Sequence, residues 1–416
     1  MLTLAERRRG LAVLLIDSFL MFGGFFMLVP LISVHYVQDL GFAAAAIGIV
    51  LAARQLTQQG LTLLGGALAD RWGAKGLICW GMVIRTVAFG ALAWATTFNV
   101  LLALCVLAAV GGALFDAPKN AAIAALAEPA ERTHFFSLNG IAGGLGMTVG
   151  PLVGALLLRA DFRWVCFVSA ALFAIAAVVT MLGLPRIQVA QGSQSLRAGL
   201  GLALRNRRFV LFTMLLSGFW FMWVQLSISL TLAAQRWGEP MLNTPFGALS
   251  VNSVAWVYGL NAGLTVVLQY PLLRLAERRL RPMPILSGGV AIMATGLGLV
   301  AVADSLAMLL SCVVVFSVGA MLVQPTQQTV TAQLADPQAL GSYFGFSALA
   351  LAFGGGLGNY LGGWLYDVAL HWQLHALPWL VFWGIGLSAA AGLAVLDRVQ
   401  RPAVSPVPTG RSTRTT

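Results

Sequence analysis

Long apolar stretches separated by short polar segments are the dominant pattern along this chain. LLALCVLAAVGGALF (residues 101–115) and MLLSCVVVFSVGAMLV (308–323) are continuous, without the two-residue alternation of a half-buried strand. A helix that crosses a membrane needs about 20 mainly apolar residues. The pattern therefore predicts an all-α integral membrane protein rather than a β-barrel.

The apolar stretches predict twelve transmembrane helices. The first six lie at Leu11–Val34, Ala44–Ala67, Leu77–Thr97, Val100–Phe115, Phe135–Leu158 and Trp164–Leu184. The last six lie at Phe209–Ala233, Ser253–Leu273, Ile285–Ala303, Ala307–Gln324, Tyr343–Tyr366 and Leu377–Leu396. The fourth and tenth are expected to end where Pro118 and Pro325 follow.

Composition supports the same class of protein. Hydrophobic residues make up 59% of the 416 residues and charged residues only 9%, whereas soluble chains carry about 25% charged residues. This composition excludes a soluble enzyme, a coiled coil and a disordered chain. The four cysteines are scattered through apolar stretches, without the paired spacing of a metal site.

The distribution of basic residues predicts the orientation. Of the 25 lysines and arginines, Arg159, Arg163 and Arg236 lie on one side, and Arg54 and Arg85 lie inside spans. The other 20, including Lys119 after the fourth span, lie on the side of the termini. By the positive-inside rule both termini are cytoplasmic in an inner (plasma) membrane. The net charge of +11 thus reflects topology, and we expect no nucleic-acid partner.

The chain contains an internal repeat at half its length. LAEPAERTHFF from Leu126 and LADPQALGSYF from Leu334 align at an offset of 208 residues. The same offset relates Gly146, Gly150 and Gly154 to Gly354, Gly358 and Gly362. The repeat predicts two pseudo-symmetric six-helix bundles at 1–184 and 209–397, a cytoplasmic linker at 185–208 and a disordered tail at 398–416. A substrate pathway between parallel repeats would then open alternately to each side.

Two motifs resemble signatures of a known family. GALADRWGAK from Gly66 matches the loop signature G-x-L-A-D-R-x-G-R-[KR], with Ala74 departing from it. GMTVGPLVGA from Gly146 resembles G-x-x-x-G-P-x-x-G-G, with Ala155 replacing the last glycine. The chain resembles the major facilitator superfamily, of the drug/proton antiporter type. LIDSF, LAARQLTQQG, LFDAPKNA and GSYFGFS are similar to a multidrug efflux branch.

The resemblance implies roles for two groups of residues. The first is a gating loop that contacts the other half and comprises Gly66, Asp70, Arg71, Gly73 and Lys75, together with Asp116 at the end of the fourth span. Gly66 and Gly73 would permit a tight turn, and Asp116 would pair with a basic residue of the loop. The second is the fifth-span signature of Gly146, Gly150, Pro151 and Gly154, which would contact the eighth span and seal against proton leak.

Three charged residues inside the spans are candidates for coupling or substrate binding. Asp17, Arg54 and Arg85 are costly at bilayer depth and should face a cavity or each other. Asp17 is the best candidate for a protonatable carboxylate, with a fixed ion pair or an interfacial position as the alternative. For Arg54 and Arg85, structural pairing is as good an explanation as ligand contact.

The second half offers mainly neutral candidates. Gln225, Gln269, Trp223 and Asn359 are expected to line a cavity whose apolar walls suit amphiphilic ligands. His371 and His375 lack a third ligand, so no metal site is predicted.

These observations predict a secondary active transporter rather than an enzyme. No G-x-x-x-x-G-K-[ST] motif is present, so we expect no cofactor and an ion gradient as the energy source. Proton-coupled efflux of an amphiphilic, drug-like small molecule by alternating access is the leading hypothesis. Uptake of a small metabolite by a proton symporter is the alternative, and a non-transporting membrane sensor is a weaker one. The expected partners are the substrate, protons and the lipid bilayer, with the chain as a monomer.

Overall fold

The computed structural model describes residues 3–128, 131–185, 196–238, 241–244, 247–250, 252–335 and 340–400. The first half contains α1 (Leu4–Val34), α2 (Ala44–Trp72), α3 (Ala74–Ala91), α4 (Phe98–Leu126), α5 (Arg132–Leu158) and α6 (Phe162–Gly183). The rest contains α7 (Leu196–Arg205), α8 (Arg207–Trp223), α9 (Ser229–Gln235), α10 (Ser253–Glu277), α11 (Pro282–Leu299), α12 (Leu306–Leu334), α13 (Leu340–His371) and α14 (Leu377–Gln400). An unpredicted antiparallel hairpin, β1 (Met241–Thr244) and β2 (Gly247–Ser250), connects α9 to α10.

Within these described ranges, nine helical segments are long and apolar enough to cross a membrane. Large apolar side chains cover the outside of the helices; Met181 and Leu182, for example, are 68% and 70% exposed. The other three predicted spans coincide with α2, α10 and α13. Polar and charged side chains interrupt α2 and α10, and eight glycines interrupt α13. The chain is a multi-pass membrane protein, and the count of twelve spans stays a prediction.

The helices pack into two groups with the same pairing. In the first, α1 packs on α5 and α6, α3 on α4 and α6, and α2 on α4. In the second, α8 packs on α13 and α14, α11 on α12 and α14, and α10 on α12. These matched pairings confirm two pseudo-symmetric bundles.

The predicted domain boundaries are not tested by this packing. The short helix α7 lies within the predicted linker at 185–208, and α14 continues past 397 to Gln400. Residues 401–416 of the predicted tail lie outside the described residues. The boundaries therefore stay predictions.

The two groups meet through α2 against α13 and α5 against α10. The carboxylate of Asp367 on α13 accepts hydrogen bonds from the backbone N–H groups of Ala44 (2.9 Å) and Ala45 (2.7 Å), at the start of α2. The hydroxyl of Ser33 donates to the carbonyl of Ser227 at 3.1 Å. These contacts lie at the predicted outer ends of the helices. The three helices outside the nine apolar segments, α2, α10 and α13, are thus all in contact with the other bundle.

The predicted ends of the fourth and tenth spans are wrong. Pro118 lies inside α4, which continues to Leu126, and Pro325 lies inside α12, which continues to Leu334. Proline removes one backbone donor, but membrane helices tolerate it where neighbouring groups satisfy the freed carbonyl.

The predicted seventh span is interrupted rather than continuous. After α8 ends at Trp223, a single 3₁₀ turn at Val224–Leu226 precedes α9. The Gln225 amide donates to the carbonyls of Phe221 and Gly358, both at 2.9 Å, and its oxygen accepts from the Ser229 hydroxyl at 2.8 Å. Gln225 is fully buried, so it does not line a cavity as predicted; it stabilises this break instead.

The glycines of the fifth-span signature pack on α1, not on the eighth span as the resemblance implies. A Cβ atom at Gly146 or Gly150 would collide with the backbone of α1 near Gly23. Gly354 and Gly358 approach the backbone of α8 in the same way. Pro151 is buried inside α5. Contact between α5 and α10, the helix at the predicted eighth span, is made by other residues, including Leu152 beside Gly259.

The turn predicted at Gly66 is also displaced. Helix α2 runs through Gly66, Asp70 and Arg71 to Trp72, and the chain reverses at Gly73, whose φ of 79° favours glycine. The side chains of residues 63–72, including those of Asp70 and Arg71, lie outside the described part of the structure.

Candidate functional site

Four helices of the first bundle bring charged and amide side chains together. We define the guanidinium cluster as Arg54 and Gln58 of α2, Arg85 of α3, Asp116 of α4 and Phe25 of α1. Arg54 and Gln58 are four residues apart on one helix, so they share a face. Arg54 and Arg85 are 7% and 4% exposed.

The two guanidinium groups share one acceptor and one aromatic ring. Gln58 Oε1 accepts from Arg54 Nη1 at 3.1 Å and from Arg85 Nη2 at 3.3 Å. Their central carbons lie 4.8 Å and 5.2 Å from the centroid of the Phe25 ring, within the range of cation–π attraction. Arg54 also donates to Gln55 at 3.0 Å, and Arg85 donates to the carbonyl of Ala108 at 3.3 Å.

Asp116 belongs to this cluster rather than to a loop at the end of its span. Gln58 Nε2 donates to Asp116 Oδ2 at 3.1 Å, and the carboxylate is half-buried within α4. The predicted position at a helix end is wrong because α4 continues ten residues past Asp116 to Leu126. Asp116 therefore interacts with the two guanidiniums through the Gln58 amide.

The predicted position of Lys119 in a cytoplasmic loop is wrong. Its side chain is buried in α4, with Nζ 4.9 Å from the Phe115 ring centroid and 5.4 Å from that of Phe22. It is close enough to interact electrostatically with both Asp17 and Asp116. Lys119 directly follows Pro118, where the predicted span ends, so the apolar pattern did not indicate that this side chain is buried.

Asp17 lies on α1, apart from the guanidinium cluster. Its Oδ2 accepts from the Thr180 hydroxyl of α6 at 2.6 Å, and the same hydroxyl lies 3.7 Å from the Met82 sulfur of α3. The residue is fully buried, and within the described residues its Oδ1 has no hydrogen-bond partner. One carboxylate oxygen is thus held in place while the other is available to a proton.

The remaining candidates are dispersed. Trp223 is half-buried and stacks on Phe316 with ring centroids 6.2 Å apart. Asn359 is buried where α13 meets Gly48 of α2, and Gln269 is half-buried on α10. Lys75 is half-buried in α3 and lines a small cavity with Arg9. The structure does not gather these residues into one site.

The sequence indicated Asp17, Arg54, Arg85 and Asp116, but it did not indicate Gln58, Phe25 or Thr180. The four-residue spacing of Arg54 and Gln58 was available as a signal. Phe25 and Thr180 were not distinguishable from other apolar-helix residues, because only the packing of α1, α3 and α6 brings them to the charges.

The first bundle therefore has a charged interior. Arg54, Arg85 and Lys119 supply three cations, and Asp17 and Asp116 supply two carboxylates. Every fully buried charged side chain in the described part of the chain comes from this bundle. The chain thus has two helical bundles that meet along one interface, and one bundle has buried charges in its interior. This arrangement is typical of membrane transporters built from two repeated halves.

Comparison with known proteins identifies the family. The model of the Major Facilitator Superfamily matches residues 14–359 and 240–415. The chain is 39% identical to the multidrug resistance protein MdtH of Aeromonas hydrophila, over 92% of this chain and 94% of the relative. It is 38% identical to the protein of the same name from Edwardsiella ictaluri, over 98% and 99%. The chain belongs to the Major Facilitator Superfamily.

Solved structures agree on the fold. The nucleoside transporter NupG superposes with a TM-score of 0.74 at 19% identity, covering 93% of this chain and 99% of the other. A POT family transporter in complex with a thioalcohol-conjugated peptide superposes with a TM-score of 0.79 at 13% identity, covering 94% and 97%.

Proposed function

We propose that this protein is a secondary active transporter of the inner membrane that exports amphiphilic, drug-like compounds in exchange for protons. The relatives that match nearly the whole chain are multidrug resistance proteins. Both termini would be cytoplasmic, the chain would act as a monomer, and the proton gradient would replace any cofactor.

The observation that carries the proposal is the buried carboxylate of Asp17. A charged acid at membrane depth is costly, so such residues are rare and usually belong to an ion or substrate pathway. The unpartnered Oδ1 of Asp17 can receive a proton. Lys119, which interacts with Asp17 and Asp116, connects this position to the guanidinium cluster. A change of charge at Asp17 would therefore alter the electrostatic interactions of Lys119 and, through Asp116, of the guanidinium cluster.

Alternating access would use the contacts between α2 and α13. In this structure Asp367 caps the start of α2, so the two bundles are in contact at the side that we predict to be outer. Opening outward would separate these helices while the cytoplasmic ends come together. The glycine pairs within each bundle would keep α1 on α5 and α8 on α13 as rigid units.

Everted vesicles test this function. ATP-driven acidification of the vesicle interior would be followed with a pH-sensitive dye, and a drug-like amphiphile would then be added outside. Antiport predicts a rapid loss of the pH gradient, and Asp17→Asn, which preserves shape and an acceptor for Thr180, should abolish it. Expression of each variant in an efflux-deficient host would report drug resistance in parallel.

Asp304→Asn is the matched control, because Asp304 is exposed between α11 and α12. This variant should retain coupling and resistance. Retention of full coupling by Asp17→Asn would contradict the role of Asp17. A lack of drug-dependent proton movement in the wild type would contradict antiport itself.

The excess of cations in the interior of the first bundle favours one second candidate. Protonation of Asp17 would leave Arg54, Arg85 and Lys119 opposed only by Asp116, so a proton and an anionic metabolite would bind together. Joint binding is the coupling that an uptake symporter needs. In everted vesicles, symport would dissipate the gradient only when the metabolite is loaded inside.

A further inference from the structure

We propose that Arg54 and Arg85 form a binding site for the acidic group of the transported molecule, so that amphiphiles with a carboxylate are preferred over their neutral esters. The inference rests on the proposed transport function and adds a substrate class to it. It applies to either direction of transport.

The first argument is the convergence of like charges. Two buried guanidiniums donate to the same atom, Gln58 Oε1, at 3.1 and 3.3 Å, and both lie over the Phe25 ring. Their mutual repulsion is costly away from water, where an effective dielectric constant is low. An anion between them would relieve this repulsion.

The second argument is incomplete satisfaction of the charges. In the described part of the chain, neither guanidinium lies within salt-bridge distance of a carboxylate. Arg54 is 7% exposed, and its buried Nε–H has no acceptor among the described residues. A buried charge without a partner is a strong liability, and a neutral amide is a weaker acceptor for it than a carboxylate.

The third argument is location. Gln55, which accepts from Arg54, lies where α2 meets α13, and a Cβ at Gly355 of α13 would contact its side chain at 3.5 Å. The cluster therefore adjoins the surface between the bundles, where a transported molecule must pass. The half-buried rings of Phe22, Phe25 and Phe26 supply an apolar surface on α1 next to it.

Together these features fit an amphiphile with one acidic group. Its carboxylate would take the place of the Gln58 oxygen and accept from Arg54 and Arg85, while its apolar body would lie on the phenylalanine rings. Arginine forks suit this planar, two-oxygen recognition better than lysine does.

A matched dye pair tests the site. Binding of a rhodamine with a free benzoate and of the methyl ester of the same rhodamine would be measured on the purified full chain in nanodiscs. Arg54→Gln should lower the preference for the acid over the ester about tenfold or more, as expected for loss of a charge-assisted hydrogen bond. Arg163→Gln, at an exposed position on α6, removes the same charge and should leave the preference unchanged.

A second variant guards against misfolding of Arg54→Gln. Gln58→Glu places a carboxylate against both guanidiniums, at the cost of the Gln58–Asp116 hydrogen bond. It should lower the affinity for the acid dye about tenfold or more and change the affinity for the ester less. Equal loss of acid and ester in Arg54→Gln, or undiminished acid binding in Gln58→Glu, would overturn the proposal. Wild-type chain that binds neither dye and exports no drug would instead contradict the transport function.

Discussion

At the scale of single residues, the side-chain amides of two glutamines hydrogen-bond several buried polar groups of this membrane protein. Gln58 separates two arginines from an aspartate, and Gln225 satisfies backbone groups where the seventh span is interrupted. A neutral side chain with both donor and acceptor atoms can do this without adding a charge to the membrane interior. The two glutamines therefore have structural roles that a count of charged residues overlooks.

Replacing Gln225 should destabilise the protein. Gln225→Leu leaves the carbonyl of Gly358 and the Ser229 hydroxyl without their buried partners, at a cost of about 1–3 kcal/mol for each group. We expect a clear drop in Tm by differential scanning fluorimetry of the purified chain. Gln269→Leu, half-buried on α10, should change Tm little, and a similar drop in both variants would contradict this role of Gln225.

At the scale of helices, glycines determine how closely α1 and α5 approach. A Cβ at Gly150 would lie 2.5 Å from the Gly23 carbonyl oxygen and 3.0 Å from the Met27 nitrogen, both backbone atoms that cannot move aside alone. In α13, Gly358 faces the backbone of α8 in the same way. The repeated glycines thus mark the same kind of close helix contact in each of the two bundles.

Gly150→Ala should therefore force α5 away from α1. We expect less folded protein in the membrane and a lower Tm, measured by fluorescence-detected size-exclusion chromatography after heating. Gly144→Ala lies on the same helix with nothing within 4 Å of its Cβ, so it should be neutral or add up to about 1 kcal/mol of helix stability. Equal behaviour of the two variants would mean that this contact does not limit stability.

The sequence was sufficient to locate the helices but not their interruptions. Continuous apolar stretches predicted the positions of α1, α3 and α6 closely, because lipid contact imposes hydrophobicity along the whole span. Pro118 and Pro325 misled the prediction, since a proline inside a packed membrane helix looks like an end. The break after Trp223 depends on Gly358 and Ser229, which only the folded bundle brings to Gln225.

The candidate site shows the same limit. The cost of burial identified Asp17, Arg54 and Arg85 from sequence. The sequence could not predict that Asp17 lies apart from the two arginines, because this separation depends on which helices pack against each face of α1. Asp17 accepts a hydrogen bond from Thr180 of α6, whereas Arg54 and Arg85 donate to Gln58 of α2.

At the scale of the whole molecule, one carboxylate joins the two bundles. Asp367 caps the first two N–H groups of α2 across the interface, where the helix dipole favours a negative charge. The cap exists only while these ends of α2 and α13 are together, so it stabilises the arrangement that is closed at the side predicted to be outer.

Asp367→Ala should shift the protein toward the outward-open state. Loss of a helix cap costs about 1–2 kcal/mol, which corresponds to about a 5- to 30-fold change in the ratio of states. The rate of maleimide labelling at Ala45→Cys, with the native cysteines replaced by serine, would report the opening.

Asp161→Ala provides the control for this experiment. Asp161 caps α6 within the first bundle by accepting from the Arg163 N–H at 2.7 Å. Its loss should leave the labelling rate unchanged. A comparable increase in both variants would show that the effect arises from helix fraying rather than from separation of the bundles.

The guanidinium cluster also has a consequence for the order in which the chain is made. Phe25, Arg54, Gln58, Arg85 and Asp116 all come from α1 to α4, within the first 126 residues. N-terminal segments emerge from the ribosome first, so the arginines can find their ring, amide and carboxylate before the second bundle is synthesised. The guanidinium cluster could then be assembled before half of the 416 residues have been translated, and the later spans would insert next to it.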